Sequence, residues 1–525
     1  MRTLARQALF LSVSILFLLS FCAFLPFMGI IKETAANPTE YQFLHIDEFI
    51  KERIAGEGIP GLSLVITRGD EIIYLKGFGV TSLKHPTPVT ENTVFDLASA
   101  TKSFTAMGIL LLASDGLIDL DTPLQYYIPD FKLADKDASR QITVRQLLNH
   151  TSGIPGTFTE PLAFHDGEDA FSKLVAALAK VELNGKPGSS FEYSNINYCL
   201  LGALVEAVTN LSFEDYMAQR LFIPLGMTGT TLYPDEAARM ERADGHQSLF
   251  GNIVTRNIPI YRSAKPAGWV MSSTADMGRW ILLFINHGVL DGGQVIPDEV
   301  IEEALTPEIY YEQEGQDIGY GMGWFVGYST SGVGVIWHGG DTPNFATEMI
   351  LIPEYELGLT MLVNSQSSPQ VHNMAAAIAG MVLDIELKLP AAPWWASWKA
   401  IDSIAIWVTV FSLGLIVSLV VYIWQRFKHL RKSRQHDDHL TFRQWLKRIW
   451  RVIPPMAMLI ILGASMASAF YIFRHFFGYD IFRVIAAFSL YSPPSVWLAA
   501  AALLGSICLW LIAMVIMESL ASSRK

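Results

Sequence analysis

The sequence predicts an α+β protein in which an antiparallel sheet flanked by helices and a mostly helical subdomain precede a transmembrane helical region. Three observations predict this organisation. Strand patterns lie at both ends of residues 45–390, helical patterns fill the middle, and long apolar runs follow. Of the 525 residues, 51% are hydrophobic and 17% are charged, which excludes a disordered or fibrous chain.

The elements at the two ends of this region are predicted from their periodicity. A hairpin is indicated by Arg68-Gly69-Asp70 between two apolar runs, and a second antiparallel pair turns near Pro353. We expect these terminal strands to share one sheet. The predicted elements are a helix over 44–55, strands over 62–67, 72–78, 346–352 and 357–364, and a closing helix over 370–385.

Charge is distributed unevenly along the chain. Residues 401–525 carry 13 Lys and Arg against 5 Asp and Glu, whereas residues 1–400 carry 25 against 45. The first 400 residues therefore have a net charge of −20, and phosphate contacts need Lys and Arg. We expect no nucleic-acid partner.

Four apolar runs are long enough to cross a bilayer. The first lies in residues 1–36, behind Arg2 and Arg6, and predicts a signal peptide or a signal anchor; the sequence leaves cleavage open. The others span about 403–424, 452–473 and 495–517 and contain no acidic or basic residue.

The charges between these runs predict their orientation. Residues 425–451 carry nine Lys and Arg against two Asp, so the positive-inside rule puts this loop in the cytoplasm. Residues 37–390 would then form an extracytoplasmic domain, joined by a linker at 391–402 to a membrane region at 403–525. We expect a multi-pass protein of the cell membrane, with the lipid bilayer as a partner.

The first motif that could carry chemistry is Ser99-Ala100-Thr101-Lys102, at the start of a helix predicted over 105–114. A spacing of three puts Ser99 and Lys102 on one helical face. A lysine amine can accept the proton of a serine hydroxyl and so activate it as a nucleophile. The alternative is a helix cap followed by a solvated lysine, which the motif alone would favour.

Two further motifs are chemically suggestive. Tyr193-Ser194-Asn195 combines a phenol that can shuttle a proton with an amide that can bind a carbonyl, although Ser194 or Asn195 could simply cap the helix predicted over 198–208. His338-Gly339-Gly340-Asp341 ends an apolar strand with two glycines, which allow close approach of a ligand; the alternative is a plain turn.

Taken together, the order and context of these motifs resemble the class C β-lactamase-like and penicillin-binding-protein-like serine hydrolases. Three other stretches match that family: Leu147 to Pro155, Pro266 to Asp276, and Leu225-Gly226-Met227. The resemblance covers residues 45–385 and implies a β-lactamase/transpeptidase-like fold. It does not cover the membrane region.

The resemblance implies a role for each motif residue. Ser99 would be the nucleophile, Lys102 its proton acceptor and Tyr193 the proton relay. Asn195 would bind the substrate carbonyl, and the backbone N–H groups of Ser99 and Asp341 would form an oxyanion hole.

The family's Lys-Thr-Gly triplet is replaced here by His338, Gly339 and Gly340. A histidine that is largely neutral near pH 7 attracts a substrate carboxylate less than a lysine does. This replacement favours a peptidase, amidase or esterase over an efficient β-lactamase.

The predicted function is a membrane-anchored serine hydrolase for an amide or ester, with a cell-envelope D-amino-acid peptide or ester implied by family and location. We expect no cofactor and no metal, because no His-Glu-x-x-His helix occurs and His165-Asp166 begins an ordinary acidic loop. For His150 we expect a structural hydrogen-bonding role. A slow or inactive penicillin-binding sensor is the alternative, and a transporter is disfavoured by the uncharged spans.

Overall fold

The structure, a computed structural model, describes residues 40–156, 160–313, 315–329, 331–366, 368–387, 398–433 and 493–522. The predicted signal segment at 1–36 and the predicted span at 452–473 lie outside the described residues. So do most of the basic loop and residues 391–397 of the predicted linker.

The helices alternate with short turns through the middle of the described chain. Their bounds are α1 Glu40–Glu57, α2 Thr101–Ser114, α3 Leu124–Tyr127, α4 Lys136–Ser139, α5 Val144–Leu148, α6 Ala170–Ala177, α7 Asn195–Thr209, α8 Phe213–Met217, α9 Pro234–Ala237, α10 Lys265–Gly268, α11 Thr274–Ile285, α12 Asp298–Leu305, α13 Ser368–Leu383, α14 Trp398–Ser433 and α15 Pro494–Ser522.

The strands cluster towards the two ends of the domain. Their bounds are β1 Gly61–Arg68, β2 Glu71–Gly79, β3 Val94–Asp96, β4 His246–Leu249, β5 Asn252–Thr255, β6 Met271–Ser273, β7 Val289–Leu290, β8 Gly293–Gln294, β9 Ile309–Gln313, β10 Gln316–Tyr320, β11 Phe325–Tyr328, β12 Gly334–Asp341, β13 Ala346–Ile352 and β14 Leu357–Val363.

Eight of these strands form one antiparallel sheet in the order β2-β1-β14-β13-β12-β11-β10-β9. Strand β1 pairs with β14, with Leu62 opposite Val363 and Arg68 opposite Leu357. The prediction that strands from both ends share one sheet is therefore confirmed. Three two-stranded pairs, β3-β6, β4-β5 and β7-β8, lie outside that sheet.

Both faces of the sheet are covered by helices. Leu62, Leu64 and Ile66 of β1 belong to a core shared with α1 and α13, whereas Val65 belongs to the larger core around α2, α7 and α11. In that larger core the ring of Phe104 stacks on Trp280 at 3.9 Å. Because both faces are buried, β1 and β14 are almost continuously apolar, as strands between two helical layers are expected to be.

Two C-terminal helices, α14 and α15, are long and apolar enough to cross a membrane, over Ala400–His429 and Pro494–Met517. They agree with the predicted spans at 403–424 and 495–517. Helix α14 begins at Trp398, inside the range predicted as a linker. Asp402, which lies just before the predicted span, is 1% exposed within this helix.

The predicted local elements are also confirmed, with small shifts of their ends. The hairpin around Gly69 is β1-β2, and the turn near Pro353 is a short 3-10 helix over Pro353–Tyr355. Two helices begin earlier than predicted, α2 at Thr101 and α7 at Asn195. The earlier starts bring Lys102 and Asn195 into helices, which fixes the direction of their side chains.

Candidate active site

Ser99 lies in a tight turn between β3 and α2. Strand β3 pairs with β6, and the N–H of Leu97 donates to the carbonyl of Val270 at 2.8 Å. Ala98, directly before Ser99, has a φ of +49°, a conformation that costs energy in a residue with a side chain. The backbone therefore leaves the strand abruptly at Ser99, whose side chain is half-buried while its neighbours are buried.

The strand before this turn is held by a buried ion pair. The guanidinium of Arg242 donates to both carboxylate oxygens of Asp96, at 2.8 to 2.9 Å. Asp96 is 1% exposed, so removing Arg242 would leave the Asp96 carboxylate in a poorly solvated place. This pair keeps β3 in position three residues before Ser99.

Lys102 is fully buried and its Nζ points at Ser99. The Nζ donates to Ser99 Oγ at 3.1 Å, to Asn195 Oδ1 at 2.8 Å and to the carbonyl of Ala267 at 2.6 Å. The alternative interpretation of a capping serine followed by a solvated lysine is wrong here, because Lys102 has no solvent exposure and α2 has no side-chain cap.

Tyr193 and Asn195 approach Lys102 from the N-terminal end of α7. The Nζ of Lys102 lies 4.8 Å from the centre of the Tyr193 ring. The Ser194 hydroxyl donates to the carbonyl of Pro155 at 3.0 Å and Ser194 makes no side-chain cap to α7. Helix capping therefore does not account for this motif, and Asn195 is bound to the lysine.

Strand β12 lies directly against the turn that carries Ser99. A Cβ at Gly340 would lie 2.3 Å from the Leu97 carbonyl oxygen and 3.0 Å from the Ser99 nitrogen. A side chain at this position would thus push the strand away from the turn. The absence of a side chain lets Asp341, the next residue, line the same cavity as Ser99.

A side chain at Gly339 would also meet a neighbouring side chain, but on the other side of β12. A Cβ there would lie 2.8 Å from Oε2 of Glu348, a buried residue opposite it in β13. A threonine in this position, as in the family's triplet, would displace Glu348. Glycine at position 339 thus leaves room for the buried carboxylate of Glu348 on the neighbouring strand.

His338 is 1% exposed and uncharged. Burial, with a smaller contribution from the positive charge of Lys102, lowers its pKa to about 3. Its Nδ1 donates to the carbonyl of Gly339 at 2.7 Å, and its Nε2 lies 3.3 Å from the hydroxyl of Tyr320. Two reasons therefore lead to a neutral His338. An ordinary histidine is largely neutral near pH 7, and the buried position of this one lowers its pKa further.

His150 binds the segment that carries Tyr193 and Asn195. Its Nδ1 accepts from the Ser194 N–H at 3.2 Å and lies 3.1 Å from Nδ2 of Asn197. The imidazole also packs against the Tyr193 ring, 4.5 Å between centres, and burial lowers its pKa well below the usual range. This geometry fits the structural role expected for His150.

The predicted site residues converge around one cavity. Ser99, Asn195 and Asp341 line it, Lys102 binds two of these three side chains, and Tyr193 stands over the lysine. His338 lies behind Tyr193, with 6.3 Å between the ring centres. The hydroxyl, amine, phenol and glycine-flanked imidazole, far apart in sequence, therefore share one region of the molecule.

Sequence reasoning missed one group of this site, the carbonyl of Ala267. It accepts the shortest of the three hydrogen bonds of Lys102. The neighbouring carbonyl of Pro266 accepts from the hydroxyl of Thr105, which lies in α2 as Lys102 does, at 2.7 Å. The stretch from Pro266 to Asp276 resembles the family, but a backbone acceptor leaves no signal in residue type.

With this geometry established, comparison with known proteins assigns the family. Residues 46–381 match the Beta-lactamase family. This match covers more than half of the chain, and the chain belongs to that family. The fold and the motif resemblance found in the sequence are thereby confirmed.

Individual relatives share less than a third of their aligned residues with this chain. Protein flp of Staphylococcus aureus (strain N315) is 28% identical over 325 residues, which are 61% of this chain and 63% of that protein. Penicillin-binding protein 4 of Amycolatopsis lactamdurans is 29% identical over 317 residues, 58% of this chain and 81% of the relative. The match to flp thus spans less than two thirds of its length.

A solved structure gives the same result. The octameric penicillin-binding protein homologue from Pyrococcus abyssi superposes with a TM-score of 0.58 and 27% identity, covering 65% of this chain and 78% of that one. The similarity supports the β-lactamase and penicillin-binding-protein fold for this domain.

Proposed function

We propose that this protein is a membrane-anchored serine hydrolase that cleaves an amide or ester through a covalent acyl-enzyme outside the cytoplasm. The observation that carries the proposal is the 3.1 Å contact between the buried Lys102 Nζ and Ser99 Oγ, at the edge of an open cavity. A serine hydroxyl needs an adjacent base to become a nucleophile, and this contact supplies one.

The three acceptors around Lys102 suggest how the base works. When the amine is uncharged, its two N–H groups satisfy Asn195 Oδ1 and the Ala267 carbonyl, and its lone pair faces Ser99. The Ser99 oxygen then attacks the substrate carbonyl carbon while its proton passes to Nζ. Tyr193 relays this proton from Nζ to the departing nitrogen or oxygen, and water later cleaves the serine ester and restores the Ser99 hydroxyl.

The oxyanion formed in this attack needs donors. The N–H groups of Ser99 and Asp341 fulfil that role in the proposed mechanism, because Gly340 allows β12 to lie against the nucleophile turn. Since Asn195 Oδ1 accepts from Lys102, the Nδ2 of Asn195 is the group proposed to bind a second substrate carbonyl. Each oxyanion donor is worth about 3–4 kcal/mol in related chemistry.

The neutral His338 indicates which substrates suit this site. A penicillin or a peptide ending in D-alanine presents a free carboxylate, which the uncharged imidazole does not attract. We therefore propose cell-envelope D-amino-acid peptides or esters whose leaving group is not recognised through a carboxylate. The envelope location is supported by the two apolar helices and the outward orientation predicted from the loop charges.

The decisive experiment compares Ser99→Ala with Ser114→Ala in the detergent-solubilised full chain. Ser114 is exposed at the far end of the same helix, so its replacement is a matched control. We expect Ser99→Ala to lose turnover of a 4-nitrophenyl ester by at least about 10³-fold with unchanged melting temperature. Full activity in Ser99→Ala would refute the proposal.

The same preparation distinguishes hydrolysis from sensing. Mass spectrometry after incubation with the ester and with a fluorescent penicillin identifies the modified residue. A Ser99 adduct with continued turnover supports the hydrolase. A Ser99 adduct that persists without turnover would indicate a penicillin-binding sensor instead.

A further inference from the structure

The cavity at Ser99 is lined mostly by apolar residues. It measures about 620 Å³, counting its open mouth. Its lining includes the polar residues Ser99, Asn195, Asp341 and Thr342. Apart from these, its described lining is Ala98, Ala163, Phe164, Cys199, Pro259, Tyr261, Ala264, Ala267, Gly268 and Trp269.

Two chain segments build the outer wall of this space. The rings of Phe164 and Tyr261 stack in parallel, 4.7 Å between centres. Ser263 ties the two segments together, because its hydroxyl donates to the Ala163 carbonyl at 2.6 Å and accepts from the His165 N–H at 3.2 Å. The wall is thus a built surface of two joined segments.

Two basic residues close to Tyr261 in sequence are bound to glutamates and do not line the cavity. Arg262 is bound to Glu206 and Glu214, and Lys265 donates to Glu214 at 2.7 Å and is 7% exposed. None of the lining residues that the structure describes is Lys, Arg or His, and Asp341 is the one carboxylate among them. A carboxylate at the wall formed by Phe164 and Tyr261 would therefore meet apolar side chains and no lining cation, because the Nζ of Lys102 is bound to Ser99 and Asn195.

We infer that this cavity is the acyl pocket and that it selects substrates with an uncharged, apolar acyl group. This inference rests on the proposed acyl-enzyme function, since it assigns the cavity to the part of the substrate that remains on Ser99. Each methylene buried in such a pocket raises kcat/KM by about fourfold, the ratio that corresponds to its transfer from water. A carboxylate in the same place loses its hydration without gaining a partner.

The test uses 4-nitrophenyl esters, which share one leaving group and differ only in the acyl part. The series is acetate, propionate, butyrate and pentanoate, with the monoester of glutaric acid as an anionic analogue of similar length. For the wild-type protein we expect about a fourfold rise in kcat/KM per added methylene from acetate to butyrate. The glutarate monoester should be at least tenfold slower than pentanoate.

A charge placed in the wall should change this preference. Tyr261→Arg adds a cation at the cavity, whereas Tyr328→Arg adds one at a tyrosine that is 69% exposed on β11. We expect Tyr261→Arg to lower the ratio of kcat/KM for pentanoate to kcat/KM for the glutarate monoester by about tenfold. Tyr328→Arg should leave this ratio unchanged. A flat chain-length profile, a wild-type preference for glutarate, or equal effects of both variants would overturn the inference.

Failure of this inference is distinguishable from failure of the proposed function. Mass spectrometry of Ser99 after each ester reports acylation independently of preference. If Ser99 is acylated but chain length and charge make no difference, only the acyl-pocket assignment fails. If no ester acylates Ser99, the acyl-enzyme function fails and the pocket assignment fails with it.

Discussion

The candidate active site and the start of helix α14 each bury an ionisable side chain, and the surroundings of these two side chains differ. Lys102 is 0% exposed, and its Nζ donates to a hydroxyl, an amide oxygen and a carbonyl beside an open cavity. Asp402 is 1% exposed, and its carboxylate accepts from Ser248 Oγ at 2.7 Å and the Phe250 N–H at 3.0 Å, and also from the Gly251 N–H and the Ser495 hydroxyl.

The difference concerns what surrounds each charge. Around Lys102 one acceptor is the half-buried Ser99, and the preceding Ala98 holds an unfavourable φ. Around Asp402 the donors come from the β4-β5 hairpin and from α15, so a single carboxylate links the hairpin to both apolar C-terminal helices. Burial of an ionisable side chain is therefore common to both places, and an open cavity with a half-buried serine beside it distinguishes Lys102.

Asp402 forms a helix junction, the place where α14, α15 and the β4-β5 hairpin meet. Removing its carboxylate should loosen the hairpin without affecting the chemistry proposed for Ser99. We expect Asp402→Ala to destabilise the docked hairpin by roughly 4 kcal/mol, because several donors to a charged acceptor lose their partner at once. Limited proteolysis in detergent should cut within residues 246–255 much faster than in the wild type. Acylation of Ser99 should persist.

The matched control for this experiment is Asp317→Ala, at an exposed position of β10. It should not change the cleavage rate of the hairpin. Loss of Ser99 acylation together with hairpin cleavage in Asp402→Ala would show that the two regions are not separable in this way.

Acid should remove the part of the protein's stability that comes from burying His338 as a neutral imidazole. His338 has a folded-state pKa of about 3, below its unfolded value, so the unfolded chain binds more protons between roughly pH 6.5 and 3. Stability is therefore present at neutral pH and falls as the pH drops through this window. The loss from this one residue is roughly 3 kcal/mol at pH 4.

Unfolding at pH 7 and pH 4 in wild type and His338→Gln measures this contribution. Glutamine does not titrate, so the variant should lose less stability on acidification than the wild type. His85→Gln, at an exposed histidine, should behave as the wild type does. Equal acid losses in all three proteins would contradict the assignment of a buried neutral imidazole.

These contrasts also show what the sequence could predict. Hairpins and helices at the ends of the domain were found because period and turn residues are local, as with Arg68-Gly69-Asp70. The strand order was not accessible, since it depends on pairings such as β1 with β14, almost 300 residues apart. Motif spacing paired Ser99 with Lys102, and the family resemblance supplied the other site residues.

The cavity wall and the helix junction were beyond sequence reasoning for the same physical reason. Phe164 and Tyr261 stack across 97 positions, and Asp402 meets Ser248 across 154 positions. Neither contact changes local periodicity or composition. The site role of Ala267 is carried by its carbonyl, which every residue possesses.

The smallest expected effect concerns substrate charge at His338. We expect His338→Lys to raise kcat/KM for a carboxylate-bearing β-lactam about tenfold relative to a neutral 4-nitrophenyl ester. A charge-assisted hydrogen bond contributes roughly 1.5–3 kcal/mol, and repulsion by Lys102 cancels part of it. The remaining tenfold ratio corresponds to about 1.4 kcal/mol.

His338→Gln is the control for this exchange, because it alters the side chain without adding charge. The ratio of kcat/KM for the β-lactam to kcat/KM for the ester should stay near the wild-type value in His338→Gln and change only in His338→Lys. A shift of equal size in both variants would attribute the effect to packing against Tyr193 and Tyr320, whose rings lie 6.3 and 6.2 Å from the imidazole. A ratio unchanged by His338→Lys would mean that the carboxylate binds away from β12, and the argument from the neutral histidine to the substrate class would fall with it.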